Sequence, residues 1–395
     1  MSVSVLASAV NHPDAINPYI GLFNHRIVRS LRDAGIAVDV VSPRPFAPPV
    51  GPKSEYAALP DSEDWGEYDV HHPRFWYLLP KRLFYGLAGD SFARRVPRYV
   101  AETFDVPDVV QACHIYLDGY GMLPYCRTHD IPLFVISHGH FLNEYESLSR
   151  GVRSRVDETL EASAKVLCVS DALADEAATH VSAEKVETVP IGATPSRYPV
   201  DRKERLREEL SIDPDATVAL FVGEFCERKG IPELVDVLPK LSLPNTEFVF
   251  VGHGGAMRLD LQNALIESDF TDRHVYTGIT SMALRRWLAV ADLLVLPSRA
   301  EGRPTVIYEA MAAETAVLGT DIGGVTEQVS DGKTGVIIPP ERPDELADSL
   351  TSLLRDPARL DAMGQRGRDR LVEQGWTWTA YAERVESLYQ DVLDE

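Results

Sequence analysis

The sequence predicts two α/β domains, each built on a parallel sheet, and three observations indicate this. The chain has 395 residues, more than one ordinary hydrophobic core encloses. Short β-rich runs alternate with amphipathic helical stretches, as a parallel sheet with crossover helices requires. This alternation occurs once before residue 200 and again after it, so two similar halves with a cleft between them are expected.

Each predicted element follows from a local pattern. In the first half, the amphipathic stretch 21–34 is predicted as a helix, and the β-rich runs predict strands at 2–8, 37–42, 109–113, 133–137, 165–170 and 186–190. The charged stretch 201–210 is predicted as a helix that leads into the second half, whose strands are expected at 218–222, 247–251, 293–297, 316–320 and 335–338. The expected domains are therefore 1–198 and 199–375, with a helix at 376–395 completing the first domain.

Charge and composition exclude some partners. A net charge of −21 argues against broad nucleic-acid binding, which needs a cationic surface. The chain has 8 Lys against 31 Arg, and an acidic, lysine-poor composition is typical of proteins adapted to high salt. A GC-rich coding bias is the alternative explanation of this lysine shortage.

Cysteine usage and hydropathy indicate a cytoplasmic protein. Cys113, Cys126, Cys168 and Cys226 are scattered singly, with no Cys-x-x-Cys pair for zinc or redox chemistry. No apolar run approaches the roughly 20 residues that span a bilayer, and the first residues lack a basic leader.

The segment 291–311 carries the densest chemical pattern: a buried strand, a loop, and a helix that starts at a proline. The free backbone N–H groups near Thr305 and Val306 are expected to form an anion site that fits a diphosphate. Glu309 lies four residues after Thr305 on one helical face, and Glu301 lies in the preceding loop. Two carboxylates beside a phosphate site suit a nucleotide sugar, which offers hydroxyls at both ends. Taken alone, the two are better explained as solvated surface carboxylates, one in a loop and one on a helix.

This segment resembles the Glu-x7-Glu motif of the family 4 glycosyltransferases, retaining enzymes of the GT-B fold. Neighbouring motifs of the family match in order over nearly all of 218–395, at 221–231, 250–255, 321–327 and 331–335. Looser matches lie in the first half, at 18–21, 137–140, 169–170 and 190–192.

The resemblance implies roles by position. Glu301 is expected to contact sugar hydroxyls and Glu309 the ribose, while Arg228 and Lys229 neutralise the diphosphate and His138 lines the sugar side. The other residues expected to approach the substrate are Gly21, Gly223, Gly302, Thr305 and Val306. A solvated basic pair and a structural histidine remain the alternatives for Arg228-Lys229 and for His138.

The implied activity is hexosyl transfer with retention, from a nucleotide-diphosphate sugar to a glycan or lipid-linked acceptor. A nucleotide-sugar 2-epimerase of the same architecture and a non-enzymatic sugar-binding protein are the alternatives. The glycine pattern after the strand at 247–251 lacks the complete dinucleotide fingerprint, so a nicotinamide oxidoreductase is not expected.

The chain departs from the family pattern at three places. Glu224 stands where the family usually has Arg, so Arg228 is expected to substitute for that cation. Arg303 and Pro304 replace the usual aromatic residue and glycine, and residues 191–194 differ from the common Asn-Gly-Val-Asp. The one Asp-x-Asp, at 213–215, contains a proline and is interpreted as a turn, so no metal cofactor is expected.

Residues 74–98 form a basic and aromatic segment in an otherwise acidic chain. Its cations are Arg74, Lys81, Arg82, Arg94, Arg95 and Arg98, against the single acid Asp90. This segment suggests docking on anionic lipid or on a lipid-linked sugar, with peripheral contact at the inner membrane face. A pair of core-packing helices with extended arginines is the alternative.

Overall fold

The computed structural model describes residues 3–46, 54–77, 81–252, 254–278 and 280–395, except the side chains of 81–83, 269, 271 and 272. Contacts divide the chain into unit 1, Met1–Ile191 with Trp378–Glu395, and unit 2, Gly192–Thr377. Each unit is α/β with a largely parallel sheet, so the predicted fold class is confirmed. The predicted boundary after residue 198 lies inside unit 2.

The strands are β1 (Ser4–Ser8), β2 (Ala37–Val41), β3 (Arg44–Pro45), β4 (Ser62–Asp64), β5 (Asp69–His71), β6 (Arg74–Phe75), β7 (Val109–Ala112), β8 (Leu133–Ser137), β9 (Lys165–Cys168), β10 (Val186–Thr188), β11 (Thr217–Val222), β12 (Ser242–Gly252), β13 (Asp269–Thr277), β14 (Leu293–Leu296), β15 (Ala316–Thr320) and β16 (Gly335–Ile338). The helices are α1 (Leu22–Asp33), α2 (Lys81–Thr103), α3 (Tyr120–His129), α4 (His140–Asn143), α5 (Arg150–Ala162), α6 (Asp171–Ala177), α7 (Lys203–Glu209), α8 (Ile231–Val237), α9 (Arg258–Ile266), α10 (Ser281–Val290), α11 (Thr305–Ala312), α12 (Val325–Gln328), α13 (Pro343–Leu354), α14 (Pro357–Glu373) and α15 (Trp378–Asp394). No helix in the described ranges is both long and apolar enough to span a membrane.

Unit 1 contains a main sheet in the order β10-β9-β8-β7-β1-β2-β5-β4, in which β4 is antiparallel and the other strands are parallel. All five residues of β8 are buried, because both faces of the sheet are covered. The last helix of the chain, α15, completes this unit. The fully buried Tyr389 of α15 donates its hydroxyl to Gln111 in β7, and its ring centroid lies 4.8 Å from that of Phe134 in β8.

Unit 2 contains a parallel sheet in the order β13-β12-β11-β14-β15-β16. β12 is longer than the predicted strand 247–251, and its register against β13 shifts between Leu243 and Glu247. Pro244 lies within that irregular stretch. A proline inside a β-rich sequence is normally a reason not to predict a strand there, so the first part of β12 was not predicted. The neighbours β11 and β14 lie near the middle of the sheet, so the loops after them start side by side.

Candidate functional site

Two loops of unit 2 meet at the carboxyl edge of its sheet, the usual ligand edge of a parallel α/β sheet. The turn Glu227–Lys229 follows β11, and the loop that contains Glu301 follows β14. The N–H of Arg299 donates to the carbonyl of Arg228 at 2.8 Å, which joins the two loops. The structure therefore brings together Arg228, Lys229 and Glu301, which lie about 70 residues apart in the sequence.

The Glu301 carboxylate is the centre of this cluster. Lys229 Nζ and Ser298 Oγ both donate to Glu301 Oε1, the latter at 2.7 Å, and Arg228 Nη1 lies 3.6 Å from Oε2. The side chains of Glu301 and Lys229 are 8% and 15% exposed, whereas that of Arg228 is 51% exposed. The Glu301 carboxylate is therefore nearly buried between two cationic side chains, of which Arg228 is open to solvent.

The start of α11 lies directly after this cluster. The sequence predicted that α11 starts at Pro304. In the structure Pro304 is the residue before the helix, with an extended ψ of 120°, and the first helical residue is Thr305. Thr305 and Val306 therefore occupy the first turn, where the backbone N–H groups have no intrahelical acceptor. Gly302 accepts a hydrogen bond at 2.8 Å from the N–H of Gly324, which ties the loop to the predicted motif at 321–327.

Glu309 lies one turn further along α11 and is buried, with 5% of its surface exposed. Its Oε1 accepts a hydrogen bond from the Tyr198 hydroxyl at 3.1 Å. Sequence reasoning did not identify Tyr198. The one local sign was its position just beyond the motif at 190–192, which says nothing of a contact with Glu309.

Arg303, one of the departures from the family pattern, points into unit 2. Its side chain is 2% exposed, its Nε donates to the Tyr308 hydroxyl, and its Nη1 donates to Glu327. The guanidinium carbon lies 5.0 Å from the centroid of the Trp376 ring, within range of a cation–π interaction. Arg303 is therefore a packing residue of the motif loop.

The remaining predicted glycine of unit 2, Gly223, lies directly after β11. Its N–H donates to Val251 at 3.0 Å, and a Cβ added there would lie 3.6 Å from Cδ of Lys229. The backbone thus runs close beside the Lys229 side chain at the same edge of the sheet.

In unit 1, Arg44 fixes the loop after β1. Arg44 Nε donates to Asp14 Oδ2 at 2.7 Å in a pair whose side chains are 4% and 2% exposed. Its Nη atoms donate to the carbonyls of Val10 and His12 at 2.8 and 2.6 Å. The loop continues to Gly21, whose φ is +69° and where an added Cβ would lie 1.2 Å from the carbonyl oxygen of Asn11. Only glycine fits at that position.

His138 follows β8 and is half-buried, and its Nε2 has no hydrogen-bond partner among the described residues. Burial, assisted by the nearby His114, holds its pKa well below the usual value, so the ring is neutral. His114 Nδ1 lies 2.8 Å from Oδ2 of the fully buried Asp118, whose pKa is raised by burial. Sequence reasoning missed His114 and Asp118, although His114 directly follows the predicted strand 109–113.

Asp213 and Asp215 lie at the opposite edge of the sheet of unit 2, before β11. The N–H of Asp215 donates to Asp213 Oδ1 at 2.9 Å, so the pair forms a turn, as predicted. Among the described residues, no group of three or more His, Cys, Asp or Glu side chains is arranged to hold a metal ion.

The basic and aromatic segment 74–98 contains both packing residues and solvent-exposed residues. Arg74 donates to the carbonyls of Tyr56 and Leu59, and Phe92 is fully buried, so these are packing residues. The exposed members are Trp76, Leu87, Arg94, Arg95 and Arg98. The side chains of Lys81 and Arg82 lie outside the described residues.

Two family models match adjoining parts of the chain. The model for Glycosyltransferase Family 4 matches residues 20–197, and the model for Glycosyl transferases group 1 matches residues 202–370.

A similar sequence is TuaC of Bacillus subtilis, a glycosyltransferase assigned to teichuronic acid biosynthesis, which is 30% identical over 86% of each chain. Sucrose-phosphate synthase from Thermosynechococcus elongatus has a similar structure, with a TM-score of 0.78 at 22% identity over 100% of both chains. HepE from Anabaena, solved in complex with UDP-glucose, gives a TM-score of 0.70 at 17% identity over 97% of this chain and 98% of HepE. The fold of unit 1 and unit 2 is that of these GT-B proteins.

Proposed function

Because this chain belongs to glycosyltransferase family 4, we propose that it transfers a hexosyl group, with retention, from a nucleotide-diphosphate sugar to a glycan or lipid-linked acceptor. The observation that carries the proposal is the cluster of Glu301, Lys229 and Arg228 beside the start of α11. UDP-glucose, the ligand of the similar HepE structure, is the first donor to test.

Each residue of the cluster has a proposed task. The diphosphate lies at the N–H groups of Thr305 and Val306, with Arg228 and Lys229 as its counter-charges. The Glu309 carboxylate accepts hydrogen bonds from the ribose, and Glu301 accepts them from the sugar. Charge-assisted hydrogen bonds of this kind are about twice as strong as neutral ones, so the two carboxylates fix both ends of the donor.

The proposed reaction breaks the bond between the anomeric carbon and the phosphate oxygen and forms a bond to the acceptor oxygen on the same face. The acceptor proton passes to the leaving phosphate, and the nucleoside diphosphate departs. Arg228 and Lys229 stabilise the charge that develops on the phosphate. Glu301, paired with Lys229 and close to Arg228, acts as a hydroxyl acceptor and not as the base.

We also propose that no metal ion is needed. Lys229, Arg228 and the helix start supply the positive charge that a cation would supply. Asp213 and Asp215 lie at the other edge of the sheet, which removes them from the diphosphate.

The test is a donor-by-acceptor screen in excess EDTA, starting with UDP-glucose and sugar or lipid-extract acceptors and followed by proton NMR. We expect a product with the anomeric configuration of the donor, formed at a rate that EDTA does not change. An inverted anomer contradicts retention, and turnover that Mg²⁺ restores contradicts metal independence. An isomerised nucleotide sugar formed without release of nucleoside diphosphate favours the epimerase, which gains no support from the comparisons.

For the acceptor side, we propose that unit 1 docks on an anionic lipid surface through an exposed aromatic pair. Phe46 and Trp76 are 49% and 51% exposed, and their ring centroids lie 4.7 Å apart. The N–H of Trp76 donates to Ser91 Oγ at 2.8 Å, which places the pair against α2. Aromatic side chains of this kind insert at the level of lipid headgroups.

The cations beside this pair lie on the outer face of α2. Leu87, Arg94 and Arg98 follow helical spacing along one side, and all three are exposed. Arg98 pairs with Glu102, but no described carboxylate lies within ion-pair distance of Arg94 or Arg95. Arg95 Nε donates to the carbonyl of Arg74 at 3.0 Å, two residues before Trp76. In a chain of net charge −21, two arginines without a described ion-pair partner, on the helix that the aromatic pair packs against, match an anionic surface.

Co-sedimentation with phosphatidylglycerol vesicles at low and physiological salt tests this docking. We expect wild type to pellet and Arg94→Glu/Arg95→Glu to bind at least about tenfold more weakly, because each cation near the surface contributes about 1 kcal/mol. Arg127→Glu/Arg384→Glu changes the net charge equally on other exposed parts of unit 1 and is the control. Wild type that stays in the supernatant at both salt concentrations favours a soluble acceptor.

A further inference from the structure

The chain passes between the two units at residues 191–192 and again at 377–378. The segments of unit 2 next to these passages are paired. The N–H of Ala193 donates to the carbonyl of Trp376 at 3.1 Å, and a bridge joins Ala193 to Thr377. A Cβ added at Gly192 would lie 2.2 Å from the Trp376 carbonyl oxygen, so the pairing depends on glycine. We call residues 192–198 and 376–377 the crossover pair.

Both segments of the crossover pair contact α11, at its successive residues Tyr308 and Glu309. Trp376 packs edge-on against Tyr308, with ring centroids 5.5 Å apart, and also contacts Arg303. Tyr198 donates its hydroxyl to Glu309 Oε1 at 3.1 Å, and both residues are 5% exposed. The carboxylate proposed to hold the ribose is therefore itself held by the crossover pair.

We propose that Tyr198 is a positioning residue for nucleotide binding, which it achieves by fixing the orientation of the Glu309 carboxylate. The terminal torsion of a glutamate is soft, so a free carboxylate samples many planes. A buried hydrogen bond to Oε1 restricts the plane of the carboxylate. This inference rests on the proposed role of Glu309 at the ribose.

The test is a double-mutant cycle on the full chain, with UDP and GDP as probes and calorimetry as the readout. Tyr198→Phe removes only the hydroxyl and is expected to weaken binding of the nucleoside diphosphate by about tenfold. In the Glu309→Ala background, which removes the acceptor of the Tyr198 hydroxyl, the same change is expected to have little further effect, because a residue that acts through Glu309 shows a strongly non-additive cycle. The KM for the donor should rise while kcat at saturation stays unchanged.

Tyr120→Phe is the matched control, since it removes a hydroxyl that bonds Asp90 at 3.2 Å in unit 1, and its affinity for the nucleotide should equal that of wild type. Unchanged affinity in folded Tyr198→Phe, or an equal loss in both backgrounds, overturns the positioning role and leaves the proposed function intact. Failure of wild type to bind any nucleoside diphosphate overturns both.

Discussion

Replacing Glu301 with glutamine is expected to lower kcat by about 100-fold, while affinity for the free nucleoside diphosphate stays near that of wild type. The amide keeps the shape of the side chain but loses the charge that Lys229 and Arg228 now balance, and it is a weaker acceptor for sugar hydroxyls. A 100-fold loss corresponds to about 2.7 kcal/mol, the amount expected for one or two hydrogen bonds to a charged group. Single-turnover kinetics and calorimetry with UDP measure the two quantities separately.

Glu227→Gln is the control for this change. Glu227 is exposed in the same turn as Arg228 and Lys229, so its substitution alters the local charge equally without touching the Glu301 carboxylate. Wild-type turnover in Glu301→Gln, or an equal loss in Glu227→Gln, contradicts the proposed contact between Glu301 and the sugar.

Arg44→Met is expected to lower the free energy of unfolding of unit 1 by about 3–5 kcal/mol, because it leaves the buried Asp14 carboxylate without its ion pair. The loss should appear in the loop after β1, where Arg44 also holds the carbonyls of Val10 and His12. Hydrogen exchange of peptides from unit 1, followed by mass spectrometry as a function of urea, measures the effect without assuming that both units unfold together.

Two further variants test the cause of this loss. Arg44→Met/Asp14→Asn removes the unpaired charge and should recover part of the stability. Arg32→Met removes a half-buried arginine that donates to the carbonyls of Val38 and Glu67 and should cost only about 1 kcal/mol. Equal losses in Arg44→Met and Arg32→Met would contradict the buried ion pair as the cause.

Most strands of the two main sheets were predictable, because hydrophobic runs and turn residues are local properties of the sequence. The short strands β3, β4, β5 and β6, and the edge strand β13, were not predicted. Once β11 and β14 are neighbours, the loops that carry Lys229 and Glu301 start side by side, as the family resemblance implies. The family and the fold class are confirmed. Adaptation to high salt stays a prediction, as does a cytoplasmic location.

The contacts that complete the site were not predictable from local pattern. Tyr198 and Glu309 are separated by 111 positions, and a tyrosine just beyond a loop motif carries no sign of its partner. Arg303 was noticed as a departure, but the direction of its side chain depends on Trp376 and Glu327, which only the packing of unit 2 brings to it. His114 and Asp118 likewise stand out only because Asp118 is fully buried and paired with His114, and no single position of the sequence reveals that burial.

The place of α15 has a consequence for how the protein is made. Because Tyr389 fills the core beside Gln111 and Phe134, unit 1 stays open on one side while a ribosome synthesises residues 192–377. Unit 2 can complete its fold as soon as residues 192–377 have left the exit tunnel, although its synthesis starts later. Order of translation and order of completion are therefore reversed: the unit that is begun first is finished last, and its apolar surface is exposed for the whole interval.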